Sequence, residues 1–183
     1  MKLNPSLLAF AAAAAFVGSA QAVVFTGTTL GGPTFTRAVA DFSVLSAFGV
    51  GVRYQVTPFT VTAAGSYVFQ NTALVPINWD NFTFVYKTAF NAASPLINGV
   101  AGNDDNPTIG LSGFTTALLT GVDYFYVTTG FERADAGTFS ASITGPGNVI
   151  LAGVPEPSSY ALMGLGLAGV LVWARRRQGR ASA

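Results

Sequence analysis

NFTFVYK, residues 81–87, places an aromatic side chain at every second position after its first residue. Side chains of a β-strand alternate between its two faces, so Phe82, Phe84 and Tyr86 share one face of an extended chain. The polar Asp80 precedes the stretch, and no proline or glycine interrupts it. The pattern therefore predicts a β-strand with one aromatic face.

Similar stretches recur from Val23 to Ile150, rich in Phe, Tyr, Val and Thr and separated by turn residues. The predicted strands begin at Val23, Thr34, Val52, Ser66, Asn81, Gly113, Tyr124 and Thr138. Short strands at such intervals are typical of an antiparallel sandwich rather than of alternating strands and helices. We therefore predict an all-β, antiparallel β-sandwich.

The aromatic rows allow two interpretations. Besides the row in 81–87, residues 124–127 place Phe125 and Val127 on one face and Tyr124 and Tyr126 on the other. Such rows form either the hydrophobic layer between two sheets or a platform that stacks on sugar rings, and we favour the layer. Pro58, inside a predicted strand, indicates either an edge position or a break in that strand.

The composition excludes several classes of chemistry. The chain of 183 residues has no cysteine and no histidine, which removes disulfides, thiolate nucleophiles and the most common general base. Between Val23 and Gly153, four basic and seven acidic residues give a net charge of −3. An acidic body without basic clusters predicts no nucleic-acid partner. We expect a protein that is not an enzyme.

The N-terminus has the pattern of a signal peptide. Lys2 precedes an apolar run from Leu7 to Val17, and small residues, Ala20 and Ala22, occupy the −3 and −1 positions. These features predict export with cleavage after Ala22. The domains are then a signal peptide (1–22), an extracytoplasmic β-sandwich (23–153) and a C-terminal tail (154–183).

The tail consists of three parts. Pro155-Glu156-Pro157 is stiff and extended, because each proline fixes its own φ and restricts the preceding residue. The uncharged segment 159–174 follows and predicts a single transmembrane helix. The basic segment 175–180 begins with Arg175, Arg176 and Arg177, which we expect to stop transfer and stay cytoplasmic.

This tail resembles the PEP-CTERM sorting signal of Gram-negative bacteria that make extracellular polysaccharide. The resemblance implies that an exosortase, a membrane protease, recognises Pro155, Glu156 and Pro157 after transient membrane insertion and discards the helix and arginines. It implies a cell-surface or matrix location, associated with biofilm and exopolysaccharide. The alternative from the residues alone is a permanent single-helix anchor, which needs no protease.

Residues 66–145 resemble the bacterial pre-peptidase C-terminal type of domain. The shared pattern runs from GSYVF at Gly65 through WDNFTFVY at Trp79 and PLINGVAGNDDN at Pro95 to AGTFSASITGPG at Ala136. The resemblance implies a jelly-roll-like β-sandwich that serves as a non-catalytic binding or structural module.

The most polar turn is GNDDN, residues 102–106. Asp104 and Asp105 carry the hard oxygen ligands that calcium takes, and Asp80 joins them if the fold brings the turns together. Calcium is thus the one cofactor that the sequence suggests, in a calcium-stabilised adhesive module. The alternatives are a plain turn capped by its own side chains, which we favour over a calcium site, or a secreted polysaccharide-acting enzyme that uses the same three carboxylates.

Overall fold

The computed structural model describes residues 21–152, which form ten β-strands. The strands are β1 (Gln21–Thr28), β2 (Thr34–Phe35), β3 (Val52–Val61), β4 (Gly65–Val75), β5 (Asn81–Lys87), β6 (Gly99–Asn103), β7 (Leu111–Leu118), β8 (Tyr124–Gly130), β9 (Thr138–Gly145) and β10 (Val149–Leu151). Residues 21–152 contain no helix that could cross a membrane. The predicted hydrophobic signal segment, the tail motif and the helix 159–174 lie outside the described residues.

The strands build two antiparallel sheets. One has the order β1-β9-β4-β7, and the other has the order β10-β3-β8-β5-β6 with β2 beside β3. Without the short β2 and β10, eight strands remain in two sheets of four, with the connectivity of a jelly roll. The prediction of an all-β, jelly-roll-like sandwich is confirmed.

Strands with strong alternation have the predicted bounds. β5 and β8 coincide with the predicted stretches 81–87 and 124–130, and they pair along their whole length from Asn81↔Gly130 to Lys87↔Tyr124. β6 and β10 were not predicted, because glycine and asparagine in β6 resemble a turn and β10 has only three residues. Pairing with β5 makes β6 a strand.

The strand predicted to start at Thr34 is wrong beyond Phe35. The chain then folds back on itself, since the backbone N–H of Arg37 donates to Gly49 and that of Ser46 donates to Arg37. Phe42 has a φ of 59°, which an extended strand does not contain. Residues 36–51 therefore form a compact connection that lies over the outer face of the larger sheet.

Of the two alternatives for Pro58, the break is wrong and a position with an open strand side is found. β3 continues through this residue, which pairs with Phe125 of β8. The strand tolerates proline because its other side faces only the two-residue β2 and the three-residue β10.

An aromatic layer fills the space between the two sheets. Phe69 of β4 stacks on Tyr126 of β8 at 6.0 Å between ring centroids, and Phe59 stacks on Tyr124 at 5.5 Å. Phe69 and Tyr126 have no exposed surface. Burial of such rings is a main contribution to the stability of a sandwich.

Phe82, Phe84 and Tyr86 are buried, but not between the sheets as predicted. They belong to a second layer on the opposite face of the larger sheet, together with Phe35 and Val127. The connections 36–51 and 88–98 contribute the covering rings Phe42 and Phe90, which lie 5.3 and 4.9 Å from Tyr86. The larger sheet is thus buried on both faces, which is why every residue of β5 before Lys87 is buried.

Candidate metal centre

The jelly roll brings three loops to one end of the sandwich. They connect β4 to β5 (76–80), β6 to β7 (104–110) and β8 to β9 (131–137). The loops are neighbours because β5 pairs with β8 from Asn81↔Gly130 and with β6 from Thr83↔Asn103. Residues that are distant in sequence therefore meet at this end.

Gly110 fixes the first two loops against each other. It has a φ of 85°, and an added Cβ would lie 2.7 Å from the Cα of Asn78, so only glycine fits. Its carbonyl oxygen accepts hydrogen bonds from the backbone of Ala73 and from Nδ2 of Asn81, both at 2.8 Å. Oδ1 of Asn81 also accepts a hydrogen bond from the hydroxyl of Ser112. These bonds hold together the buried side of the junction between loops 76–80 and 104–110.

Asp80, Asp104 and Asp105 meet at this junction. Each offers one carboxylate oxygen, and these three oxygens lie within 4.8 Å of one another. Asp105 is exposed, whereas Asp80 and Asp104 are partly buried. The Oδ1 atoms of Asp80 and Asp104 are buried without a hydrogen-bond partner among the described residues. The structure thus brings together the three carboxylates that the sequence singled out.

The asparagines of the GNDDN turn have a different role. Oδ1 of Asn103 accepts from the backbone N–H of Gly113 at 3.2 Å, and Nδ2 of Asn106 donates to the Gly113 carbonyl at 3.0 Å. These amides bond the edge of β7 rather than their own turn. They position the turn and leave the aspartates facing Asp80.

Arg37 is a cation next to this cluster, and its role was not predicted from the sequence. It is 2% exposed, its Nε and Nη2 donate to the carbonyl of Phe131, and its guanidinium lies 4.2 Å from the ring centroid of Phe82. Burial lowers the pKa of Arg37, while Asp104 and Asp80 raise it. The sequence feature that could have indicated a buried Arg37 is its isolated position in the mostly apolar segment TFTRAVADF.

Negative charge accumulates at the site despite Arg37. Burial raises the pKa of Asp80 to about 6, and the carboxylates of Asp135 and Asp105 add to this effect. Burial also raises the pKa of Asp104 to about 6, with further contributions from Asp80 and Asp105. Crowded, partly buried carboxylates bind a proton or a cation more readily than isolated ones. The arrangement suits a hard divalent cation that takes oxygen ligands.

We expect the cluster to make stability depend on pH in the presence of a chelator. The folded state holds protons on Asp80 and Asp104 up to about pH 6, whereas the unfolded chain releases them near pH 4. The free energy of unfolding therefore falls as pH rises from about 4 to about 6. Urea unfolding of the wild type and the double variant Asp80→Asn, Asp104→Asn measures this: the variant should gain stability relative to the wild type between pH 4 and 7. A difference that does not change with pH would contradict the expectation.

The comparisons with known proteins concern the tail, beyond the described residues. Residues 153–177 match the family model of the PEP-CTERM protein-sorting motif. The chain carries a PEP-CTERM sorting motif. The match includes the predicted recognition residues Pro155, Glu156 and Pro157, and it ends at Arg177. No curated protein matches the chain.

The PEP-CTERM motif marks an exported protein whose membrane-anchored precursor is processed by an exosortase for the cell surface. The individual roles of the tail residues, and cleavage after Ala22 with Ala20 and Ala22 at the −3 and −1 positions, stay predictions. So does the resemblance of residues 66–145 to the pre-peptidase C-terminal type of domain, although the sandwich is consistent with it.

Proposed function

We propose that this chain is a non-catalytic binding or structural module of the surface or extracellular matrix of a Gram-negative bacterium. The observation that carries the proposal is the PEP-CTERM motif at residues 153–177, next to a β-sandwich body that ends with β10. A chain without histidine or cysteine adds support, because most nucleophilic and acid–base catalysis near neutral pH uses these residues.

The tail acts before the body reaches its destination. Segment 159–174 holds the exported precursor in the inner membrane, and Arg175, Arg176 and Arg177 keep the chain end cytoplasmic. An exosortase-like protease then recognises the stiff Pro155-Glu156-Pro157 segment and removes the helix and the basic residues after it. A short helix with basic flanking residues is sufficient for this temporary role.

Replacing Glu156 with alanine should block processing. The carboxylate of Glu156 is the one charged group of Pro155-Glu156-Pro157. Its loss should therefore remove the group that the protease recognises. The intact mass of Glu156→Ala from the bacterial envelope should include the tail. Gln178→Ala, just beyond the matched residues, is the control and should be processed. Normal processing of Glu156→Ala would contradict the role of this residue.

We further propose that the released module associates with extracellular polysaccharide in the biofilm. The support is the sorting motif, together with a body of low charge that carries 13 phenylalanines and 5 tyrosines between Val23 and Gly153. Co-sedimentation of the processed protein with polysaccharide from the producing bacterium tests this. Protein that stays in the supernatant at every polysaccharide concentration would contradict it.

The second proposed function is that of a calcium-stabilised adhesive module. Its support is the group of three carboxylate oxygens within 4.8 Å, two of whose aspartates also present a buried, unpartnered oxygen. Calcium takes six to eight oxygen ligands, so carboxylates, backbone carbonyls and water together complete a site. Bound calcium would neutralise the repulsion that raises the pKa of Asp80 and Asp104. Melting with calcium and with a chelator tests the proposal.

The meeting of Asp80, Asp104 and Asp105 also supports a competing proposal, that the protein is an enzyme that acts on polysaccharide. A carboxyl group with a pKa of about 6 is suited to act as a general acid, as Asp104 would be here. Two surface pockets of the described residues, at residues 64–68 with 144–146 and at residue 45 with 93–97, do not contain Asp80, Asp104 or Asp105. Release of reducing sugars by the wild type, lost in Asp104→Asn, would support the enzyme over the adhesive module.

A further inference from the structure

β1 is an edge strand of the smaller sheet. It pairs with β9 along its whole length, from Gln21↔Gly145 to Thr28↔Thr138, and β9 lies between it and β4. Among residues 21–152, no strand pairs with the other side of β1. A free strand edge presents backbone donors and acceptors that can pair with another chain.

One hydrogen bond shows which backbone groups of β1 point away from β9. The N–H of Thr28 donates to Oε1 of Gln55, a side chain of the other sheet, at 2.6 Å. Backbone groups of a strand change direction at each residue, so Thr26 and Val24 direct their N–H and C=O groups to the same free edge. No turn, loop or side-chain hydrogen bond within residues 21–152 uses the backbone of Val24 or Thr26.

β1 lacks the features that usually protect an edge. Its sequence, QAVVFTGT, contains no charge and no proline, and the side chain of Val24 is 65% exposed. Natural sheets protect edges with lysine, proline, bulges or covering loops. The opposite edge of this sheet is covered at its start, where Asn103 and Asn106 bond Gly113 of β7. β6 and β10, at the edges of the other sheet, have only five and three residues.

We propose that β1 pairs in antiparallel fashion with β1 of a second copy of this chain. A two-fold axis at Phe25 places Val24 opposite the partner's Thr26 and joins the two smaller sheets into one of eight strands. Antiparallel pairing of a strand with itself is isologous, so one surface serves both copies. The side chains of β1 are uncharged, so they meet no like-charged side chain in the partner strand.

The proposal predicts a closed dimer rather than a filament. Pairing of β1 with itself uses the free edge of β1 in both copies, and Asn103 and Asn106 occupy the start of the opposite edge at Gly113. Val24 and Thr26 lie after the predicted cleavage site at Ala22, so the exported form keeps the pairing residues. The inference stands independently of calcium and of polysaccharide.

Sedimentation velocity of the processed protein over a concentration series tests the pairing. The wild type should dimerise, and Val24→Lys should raise the dimer dissociation constant about tenfold or more, because it places two lysines diagonally across the axis. Val68→Lys is the matched control, since Val68 is 51% exposed on β4 in the interior of the same sheet. Val68→Lys should dimerise like the wild type.

Hydrogen exchange of the wild type makes the test independent of how the variants fold. The amides of Val24 and Thr26 should exchange more slowly as protein concentration rises. A wild type that is monomeric at every concentration would overturn the proposal. Equal loss of the dimer in both variants would indicate stacking of sheet faces instead, and a dimer unaffected by Val24→Lys would indicate another surface. Either result would also overturn the edge pairing.

Discussion

Replacing Phe84 with alanine should reduce the free energy of unfolding by about 3–5 kcal/mol. The ring has no exposed surface and lies at the centre of the layer that covers the larger sheet. It stacks on Phe82 at 4.6 Å between centroids and packs against Phe42 at 5.4 Å. A single domain has only about 5–15 kcal/mol of stability, so this loss brings the body close to unfolding. Urea unfolding of both proteins measures it.

Phe48→Ala is the matched control for this prediction. Phe48 lies in connection 36–51, which also contributes Phe42 to the layer around Phe84. Its side chain, however, is 64% exposed and stacks on Phe131 at 5.7 Å between ring centroids. Its removal should cost less than about 1 kcal/mol, because it takes little surface out of the interior. Equal losses for the two variants would mean that the outer layer is not a second core.

Calcium at about 10 mM should raise the melting temperature of the wild type by about 5–10 °C relative to chelator. Extracellular calcium modules have dissociation constants of about 0.1–1 mM, so this concentration gives about 1.4–2.7 kcal/mol. Asp104→Asn should abolish the rise, because it removes a charged ligand that lies within 4.8 Å of the other two. In chelator at pH 7.5 the variant should melt at or above the wild type, because a buried charge is lost.

Asp123→Asn is the control for the calcium measurement. Asp123 is exposed and precedes β8 at the opposite end of the sandwich, so this variant should keep the full calcium response. Magnesium, which prefers stricter octahedral geometry and retains its water, should have a smaller effect. A wild type with the same melting temperature in calcium and in chelator would exclude the site. Retention of the full rise by Asp104→Asn would place calcium elsewhere.

The fold could be predicted where the local pattern decides it. β5 and β8 alternate strongly, and their bounds follow from the sequence alone. β6 pairs with β5, and its Gly99 and Gly102 leave room there for the rings of Phe42 and Phe84. These contacts connect residues far apart in sequence. For the same reason the second aromatic layer could not be predicted. It is covered by residues 36–51, which resemble a strand at their start, and by residues 88–98, which resemble a loop.

The candidate site could be predicted in its residues but not in its geometry. Asp104 and Asp105 stand out as adjacent carboxylates, and Asp80 precedes an aromatic strand. Their meeting depends on the strand order, which places the loops before β5 and after β6 at one end. The burial of Arg37 depends on how residues 36–51 cover the sheet. Neither feature follows from local sequence.

The intact mass of the wild-type protein from the envelope and medium of the producing bacterium tests the central claim most directly. The claim is that the tail directs an exported body to the cell surface and is then removed. We expect a species that starts at Val23 and ends near Pro157. A species that retains Arg175 to Ala183 would contradict the claim, because the tail would then be a permanent anchor.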